Sequence, residues 1–159
     1  MMQPDSALNA SIGELAACIP PHLTNVWRDE LRLHDSDPSE PLPYLQAGAL
    51  SRVVVDAYVA GDSSWLPQFF TRLEALFTDP ANVDKELLVI GVIEGLQNLM
   101  GWAGADQAPM TAMLGPRSKA KWDGLNAIWG STLPGTPGAT RRPDSSLRKV
   151  VRAILRRRS

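Results

Sequence analysis

The chain has 159 residues, and its 16 Lys and Arg residues against 17 Asp and Glu residues give a formal net charge of -1 at pH 7. This length fits one domain whose core is large enough to fold without disulfides or metals. A hydrophobic content of 44% and a charged content of 21% exclude disorder as a description of the whole chain. The single cysteine, Cys18, cannot form an internal disulfide, which favours a reducing compartment.

No segment of the sequence is typical of a signal peptide or a transmembrane helix. The first ten residues, "MMQPDSALNA", lack both a basic region and an apolar region. The most apolar stretch, "LLVIGVIEGLQNLMGW", is interrupted by Glu94, Gln97 and Asn98. We therefore expect a soluble protein located in the cytoplasm.

Apolar residues recur at three- and four-residue intervals, whereas alternating strand patterns bounded by hairpin turns do not occur. This pattern predicts an all-α fold made of a single helical domain. In chain order, the predicted helices lie within residues 6–19, 21–33, 44–60, 61–80, 83–100, 109–114 and 116–129.

The fourth and fifth of these helices are expected to form the core. In the fourth, Asp62, Ser63 and Ser64 are candidate N-caps. Its wide apolar face comprises Leu66, Phe69, Phe70, Leu73, Leu76 and Phe77. The fifth helix is apolar on nearly all sides in its middle, which predicts that it is the central, buried one.

Glu94 is the most unusual residue of the fifth helix. A carboxylate inside a buried helix is costly unless it is hydrogen-bonded, protonated or turned out of the core. Gly91 and Gly95 lie four residues apart beside it, and each is roughly 1 kcal/mol less favourable in a helix than Ala, so a neighbouring helix or a partner must approach this face closely. Two interpretations stay open: Glu94, Gln97 and Asn98 form the solvent-exposed stripe of the helix, or they form a binding face.

Catalysis and metal binding have little support in the sequence. His22 and His34 lie at the two ends of one predicted helix, Cys18 ends the helix before it, and no metal-binding spacing results. A Cys18–His22 nucleophile pair would also need an orienting third group. No phosphate-binding loop, dinucleotide fingerprint or nucleophile elbow occurs. We expect no enzyme activity, no cofactor and no metal.

Five tryptophans are candidates for the core or for an interface. Trp27, Trp122 and Trp129 fall on apolar stripes and are predicted to be buried. Trp65 and Trp102 lie at helix ends, where an exposed ring would anchor an interface.

The charge is divided unequally along the chain. Residues 1–140 contain eight basic and sixteen acidic residues, whereas residues 141–159 contain eight basic residues and one acidic residue. We predict a helical domain over 1–130, a Pro/Gly/Ser/Thr linker over 131–143, and a tethered basic amphipathic helix over 144–159. The aliphatic face of that last helix comprises Leu147, Val150, Val151, Ile154 and Leu155, and its basic flank comprises Arg148, Lys149, Arg152 and Arg156.

This basic segment could bind nucleic acid, bind a membrane surface or dock onto its own chain. An acidic body would repel nucleic acid, and no base-reading motif accompanies the arginines. The aliphatic face also lacks the Trp or Phe that is usual for a membrane-surface helix. Docking onto the acidic body of the same chain satisfies the charges and the aliphatic residues together, and it is the interpretation we favour.

The stretch "WLPQFFTRLEALFTDPANVDKELLVIGVIEGLQNLM", followed by "LGPRSKAKWDGLNAIWG", resembles a family of small, uncharacterised bacterial helical proteins with the pattern VxxLLxVGxxExLQN and LGPxSxxxWxxLNxxWG. The resemblance covers roughly residues 62–130. The matching positions are Phe69, Phe70, Val83, Leu87, Leu88, Val89, Gly91, Glu94, Leu96, Gln97, Asn98, Leu114, Gly115, Pro116, Ser118, Trp122, Leu125, Asn126, Trp129 and Gly130.

The resemblance implies stacked helical hairpins of the HEAT type as an alternative to a simple bundle. It also implies a role, because some members are candidate immunity proteins encoded beside polymorphic toxins. An acidic body suits a cognate toxin with a basic, nucleic-acid-binding surface, since charge complementarity speeds association. We therefore expect a protein-binding immunity protein; the alternative is a regulatory or adaptor module whose basic helix contacts membrane or nucleic acid. The oligomeric state stays open. The residues expected on or near the partner face are Asp84, Glu86, Glu94, Trp102 and Asp106.

Overall fold

The structure is a computed structural model that describes residues 8–34 and 42–132, with the backbone alone at 34 and 129–132. Seven helices and no strand occur in this part of the chain, which confirms the predicted all-α class. None of these helices has the length and apolar character needed to cross a membrane. They are α1 (Ala10–Ala16), α2 (Thr24–His34), α3 (Pro43–Val59), α4 (Leu66–Thr78), α5, α6 (Ala108–Thr111) and α7 (Pro116–Thr132).

Helix α5 is one continuous helix with an irregular middle. It consists of the α-helical turn Lys85–Leu87, the π-helical segment Leu88–Ile93 and the α-helical segment Glu94–Ala103. Every residue over 87–94 is buried, which confirms the prediction of a central helix. It begins two residues after the predicted start, and Gly104 ends it in the left-handed conformation with φ of 63°.

The first residues of α1 and α4 differ in how they are capped. Asn9 caps α1, because its side chain accepts hydrogen bonds from the amides of Ser11 and Ile12. The prediction that Asp62, Ser63 or Ser64 caps α4 is wrong. Trp65 is the N-cap residue of this helix, and its side chain makes no capping hydrogen bond. Pro67 occupies the first turn of α4 and has no N–H to be capped, and this reduces the need for a capping side chain.

The hydrophobic core follows the predicted apolar faces closely. All six residues of the predicted face of α4 are buried, and so are Trp27 and Trp122. The side chain of Trp129 lies outside the described residues. Trp65 is only 7% exposed, so of the two tryptophans at helix ends it belongs to the core and does not offer an exposed ring. Its indole N–H donates to the Asp62 carbonyl, and its ring packs edge-on against Phe69.

Helix α3 packs between α2 and α5, and two tyrosines fix its direction relative to α5. Tyr44, at the start of α3, donates to Glu86 at the start of α5, and Tyr58, at the end of α3, donates to the Asp106 carbonyl just after α5. The two helices are therefore parallel. We call the end that holds their first residues the Tyr44 end and the opposite end the Tyr58 end.

Helix α2 runs antiparallel to α3. His22 precedes α2 and Asp62 follows α3, and their side chains meet at 2.6 Å between Nε2 and Oδ2. The start of α2 thus lies at the Tyr58 end, and the helix runs from there along α3 towards the Tyr44 end.

A carboxylate from α4 caps the start of α7, the last described helix. Glu74 accepts hydrogen bonds from the amide nitrogens of Arg117 and Ser118, at 3.0 and 2.9 Å, and from the Ser118 hydroxyl at 2.9 Å. A Cβ atom on Gly115 would overlap the Glu74 side chain. The "LGPRS" motif therefore provides a glycine that lets the carboxylate approach and amides that bind it.

Helix α7 continues through Gly130 to Thr132, so the predicted helix end at Trp129 is too early. The rest of the predicted linker and the basic helix predicted over 144–159 lie outside the described residues.

Candidate functional site

The two glycines of α5 face helix α3. A Cβ atom on Gly91 would lie 2.6 Å from the Cβ of Ala47, and one on Gly95 would lie 2.7 Å from the Ser51 hydroxyl oxygen. The close approach predicted from these glycines is therefore made by a neighbouring helix within the fold. This face of α5 is not open to another protein.

Ser51 also contacts the π-helical segment of α5. Its buried hydroxyl lies 2.9 Å from the Ala47 carbonyl oxygen and 3.4 and 3.3 Å from the carbonyl oxygens of Gly91 and Val92. A widened helical turn changes the hydrogen-bond partners of its carbonyl groups, and a hydroxyl beside them can donate to one that is left over. The Ser51 hydroxyl therefore makes its polar contacts within the packed pair of helices α3 and α5.

Glu94 and Gln97 are core residues. Glu94 is 4% exposed and Gln97 is similarly buried, so the interpretation of these residues as a solvent-exposed stripe is wrong. The Gln97 amide donates to the Trp122 carbonyl at 2.9 Å, which ties α5 to α7, while its Oε1 has no hydrogen-bond partner among the described residues. Glu94 therefore exposes almost no surface that a partner protein could contact.

Two of the predicted partner-binding acids lie at the Tyr44 end and have partners within the fold. The Asp84 carboxylate accepts from the Ser11 hydroxyl at 3.1 Å. The Glu86 carboxylate accepts from the Tyr44 hydroxyl at 3.2 Å. These bonds hold both partly exposed carboxylates in place at the surface, next to α1 and α3.

The other two predicted residues lie at the Tyr58 end. The Trp102 ring is 50% exposed in the last turn of α5. Asp106 is exposed, and its carboxylate accepts from the amide of Ala108, which begins α6. Burial, and then the Asp106 carboxylate, raises the pKa of the Tyr58 hydroxyl that donates to the Asp106 backbone.

These four surface residues do not form one cluster. Glu86 and Trp102 lie sixteen residues apart on one helix, which at 1.5 Å per residue separates them by about 24 Å. The structure therefore divides the predicted partner face into a Trp102–Asp106 group and an Asp84–Glu86 group, with Glu94 buried between them. The basic-tail residues Arg148, Lys149, Arg152 and Arg156 lie outside the described part of the chain.

Sequence reasoning missed Val59 as a surface residue of the Tyr58 end. It is the last residue of α3 and more than half exposed, next to Tyr58, whose hydroxyl reaches the Asp106 backbone. Its position between the buried Ala57 and the glycine that follows at 61 could have indicated a helix end open to solvent. Together, Val59, Trp102 and Asp106 form what we call the Trp102 surface.

The residues considered for catalysis have separate structural partners. Cys18 is buried, and burial raises the pKa of its thiol, an effect that the Arg72 guanidinium opposes. His22 is paired with Asp62 at the surface. Within residues 8–34 and 42–132, no group of three or more His, Cys, Asp or Glu side chains is arranged to hold a metal ion.

Comparison with known proteins gives one family match. No curated protein and no solved structure matches the chain. The pattern of a family described as "Domain of unknown function (DUF7674)" matches residues 14–130, which is well over half of the chain and includes α2 to α6 and most of α7. The chain therefore belongs to the DUF7674 family.

Proposed function

We propose that this chain is a non-catalytic protein-binding protein, and that it acts as an immunity protein that neutralises a cognate bacterial toxin by direct contact. The observation that carries the proposal is the half-exposed Trp102 ring at the Tyr58 end. Large aromatic side chains anchor protein interfaces far more often than their abundance predicts. A tryptophan left on the surface of a fold that buries three others is a candidate anchor.

The surroundings of Trp102 suit a protein partner. Residues 101–104 are all exposed, and Val59 adds a second apolar side chain at the same end. Asp106 places a carboxylate in the rim around them. An apolar centre with a charged rim is the usual composition of a specific interface.

The charge of the body supports a basic partner. Residues 1–140 carry twice as many acidic as basic residues, so a cationic protein would be steered towards this domain. Toxins that act on nucleic acids carry such cationic surfaces. Electrostatic steering would raise the association rate, and the tryptophan would supply the slow dissociation.

A co-expression rescue tests this proposal. The product of the adjacent open reading frame is expressed in a host alone, with the wild-type chain, or with the Trp102→Ala variant. We expect the neighbour to kill alone, the wild-type chain to restore growth, and Trp102→Ala to lose the rescue. Val83→Ala is the matched control, because Val83 is an exposed apolar residue at the opposite end. A harmless neighbour, or killing that the wild-type chain does not prevent, would refute the immunity role.

A further inference from the structure

The Tyr44 end carries an unusual concentration of exposed apolar side chains. Eight large hydrophobic side chains are exposed among the described residues, and four of them lie here: Leu42, Tyr44, Leu45 and Val83. Val83 is 92% exposed. A monomeric protein rarely leaves apolar side chains of this size together in water unless something covers them.

The same end is acidic. The acidic residues Asp79, Asp84 and Glu86 lie there. In the described part of the chain, Lys85 is the basic residue that lies among them. Hydrogen bonds from Ser11 and Tyr44 hold two of the three carboxylates in position, as described above. A segment that covers this end must therefore be both apolar and cationic.

The sequence of the same chain contains such a segment. Residues 144–159 place five aliphatic side chains at i, i+3, i+4, i+7 and i+8, flanked by cations and accompanied by one carboxylate. We propose that residues 144–159, the tail segment, dock on the Tyr44 end of their own chain. This proposal is independent of the immunity role, because the tail segment covers the end opposite to the Trp102 surface.

The intervening chain is long enough for this contact. Eleven residues separate Thr132 from the tail segment, and a chain of that length spans up to about 36 Å when extended. A globular chain of this size has a radius of gyration of roughly 15 Å. The linker can therefore reach either end of the domain, and the composition of the Tyr44 end selects the docking position.

The tether favours docking of the tail segment within one chain. The tail segment is held at a high effective concentration by its tether, so an interface too weak to form between separate molecules can form within one chain. The salt bridges themselves would add little, since exposed ion pairs are weak, and the aliphatic side chains would supply most of the stabilisation.

Disulfide trapping in the full-length chain tests the proposal. In a Cys18→Ala background, one variant carries Val83→Cys with Leu155→Cys, and the matched control carries Val59→Cys with Leu155→Cys. Val59 is also an exposed valine, at 56% against 92% for Val83, but it lies at the Tyr58 end. The tail cysteine is the same in both variants. We expect the first pair to oxidise roughly tenfold faster than the second under mild oxidant, to a monomeric product, because docking raises the effective concentration of the two thiols.

Three outcomes would overturn the proposal. Equal rates for the two pairs would mean that the tail segment has no preferred position. Failure of both pairs to oxidise would mean that it does not reach the domain. Cross-links between chains, seen as dimers on a non-reducing gel, would mean that a second copy occupies the Tyr44 end. A Leu42→Cys with Leu155→Cys variant repeats the test on a different exposed residue of the same end and must give the same result as Val83→Cys.

Discussion

Gly91 of α5 lies against Ala47 of α3 so closely that a methyl group added to the glycine would sit 2.6 Å from the Ala47 methyl carbon. One turn later, Gly95 faces Ser51 in the same way. Small residues at four-residue spacing on both helices allow the two backbones to approach, as in other tightly packed helix pairs. The glycines thus position the central helix of the domain.

Gly91→Ala is predicted to destabilise the protein by about 1–3 kcal/mol, because overpacking a rigid contact outweighs the gain in helix propensity. Gly95→Ala should cost less, since its closest neighbour is a hydroxyl that can rotate. Urea unfolding followed by circular dichroism measures both. Gly48→Ala in α3 is the matched control, because a Cβ there meets no atom within 4 Å, and it should stabilise the fold. Equal effects of Gly48→Ala and Gly91→Ala would contradict the close helix crossing.

Glu74→Ala is predicted to lower the free energy of unfolding by about 1–2 kcal/mol, the range for losing a helix cap. It removes the acceptor for two amides and a hydroxyl at the start of α7. Glu74→Gln keeps one carbonyl oxygen and should recover part of the loss. Glu14→Ala, at an exposed glutamate of α1, serves as the control. The same urea titrations would refute this role of Glu74 if all three variants were as stable as the wild type.

The stability of the protein is predicted to fall as the pH rises above about 9. Burial raises the pKa of Cys18 above its usual 9.0, so the folded state keeps a proton that the unfolded chain loses. This contribution is fully present below the unfolded pKa and is lost as the pH rises towards the folded one. Urea midpoints from pH 8 to pH 10 should fall more steeply for the wild type than for Cys18→Ala. Parallel pH profiles for the two proteins would contradict the burial of the thiol.

The full-length chain is predicted not to retain duplex DNA at physiological salt. The acidic body offsets the cations of residues 141–159, and we propose that the tail segment docks on that body. Fluorescence anisotropy with a labelled duplex measures this at low and physiological ionic strength. Tight binding that collapses between about 50 and 200 mM salt would favour the adaptor role instead.

Much of the fold could be predicted because local patterns determine it. The six apolar residues of α4 lie on one face at helical spacing, and all are buried. The continuous apolar run in α5 likewise predicted its burial, and Gly91 and Gly95 predicted a close neighbour. The sequence could not identify that neighbour, because glycines show that a face is crowded and not what crowds it.

The candidate site was harder to predict because it depends on contacts between distant segments. Glu94 interrupts an apolar run, a pattern shared by a solvent-facing carboxylate and a buried one, and only the packing of α3 and α7 against α5 decides between them. The Glu74–Ser118 contact joins residues 44 positions apart, although the Gly-Pro-x-Ser motif signals a helix start. No local signal predicted the π-helical segment Leu88–Ile93.

The most direct test of the proposed function is the affinity of purified full-length variants for the product of the adjacent open reading frame, which is the proposed toxin, measured by isothermal titration calorimetry. The account predicts that Trp102→Ala weakens binding by roughly 30-fold or more, the range of an interface hot spot. Val83→Ala, just before the start of α5 and at the opposite end of the domain, should bind like the wild type. An affinity of Trp102→Ala within about threefold of the wild type, a change well below one hot-spot contact, would contradict the assignment of the Trp102 surface as the partner interface.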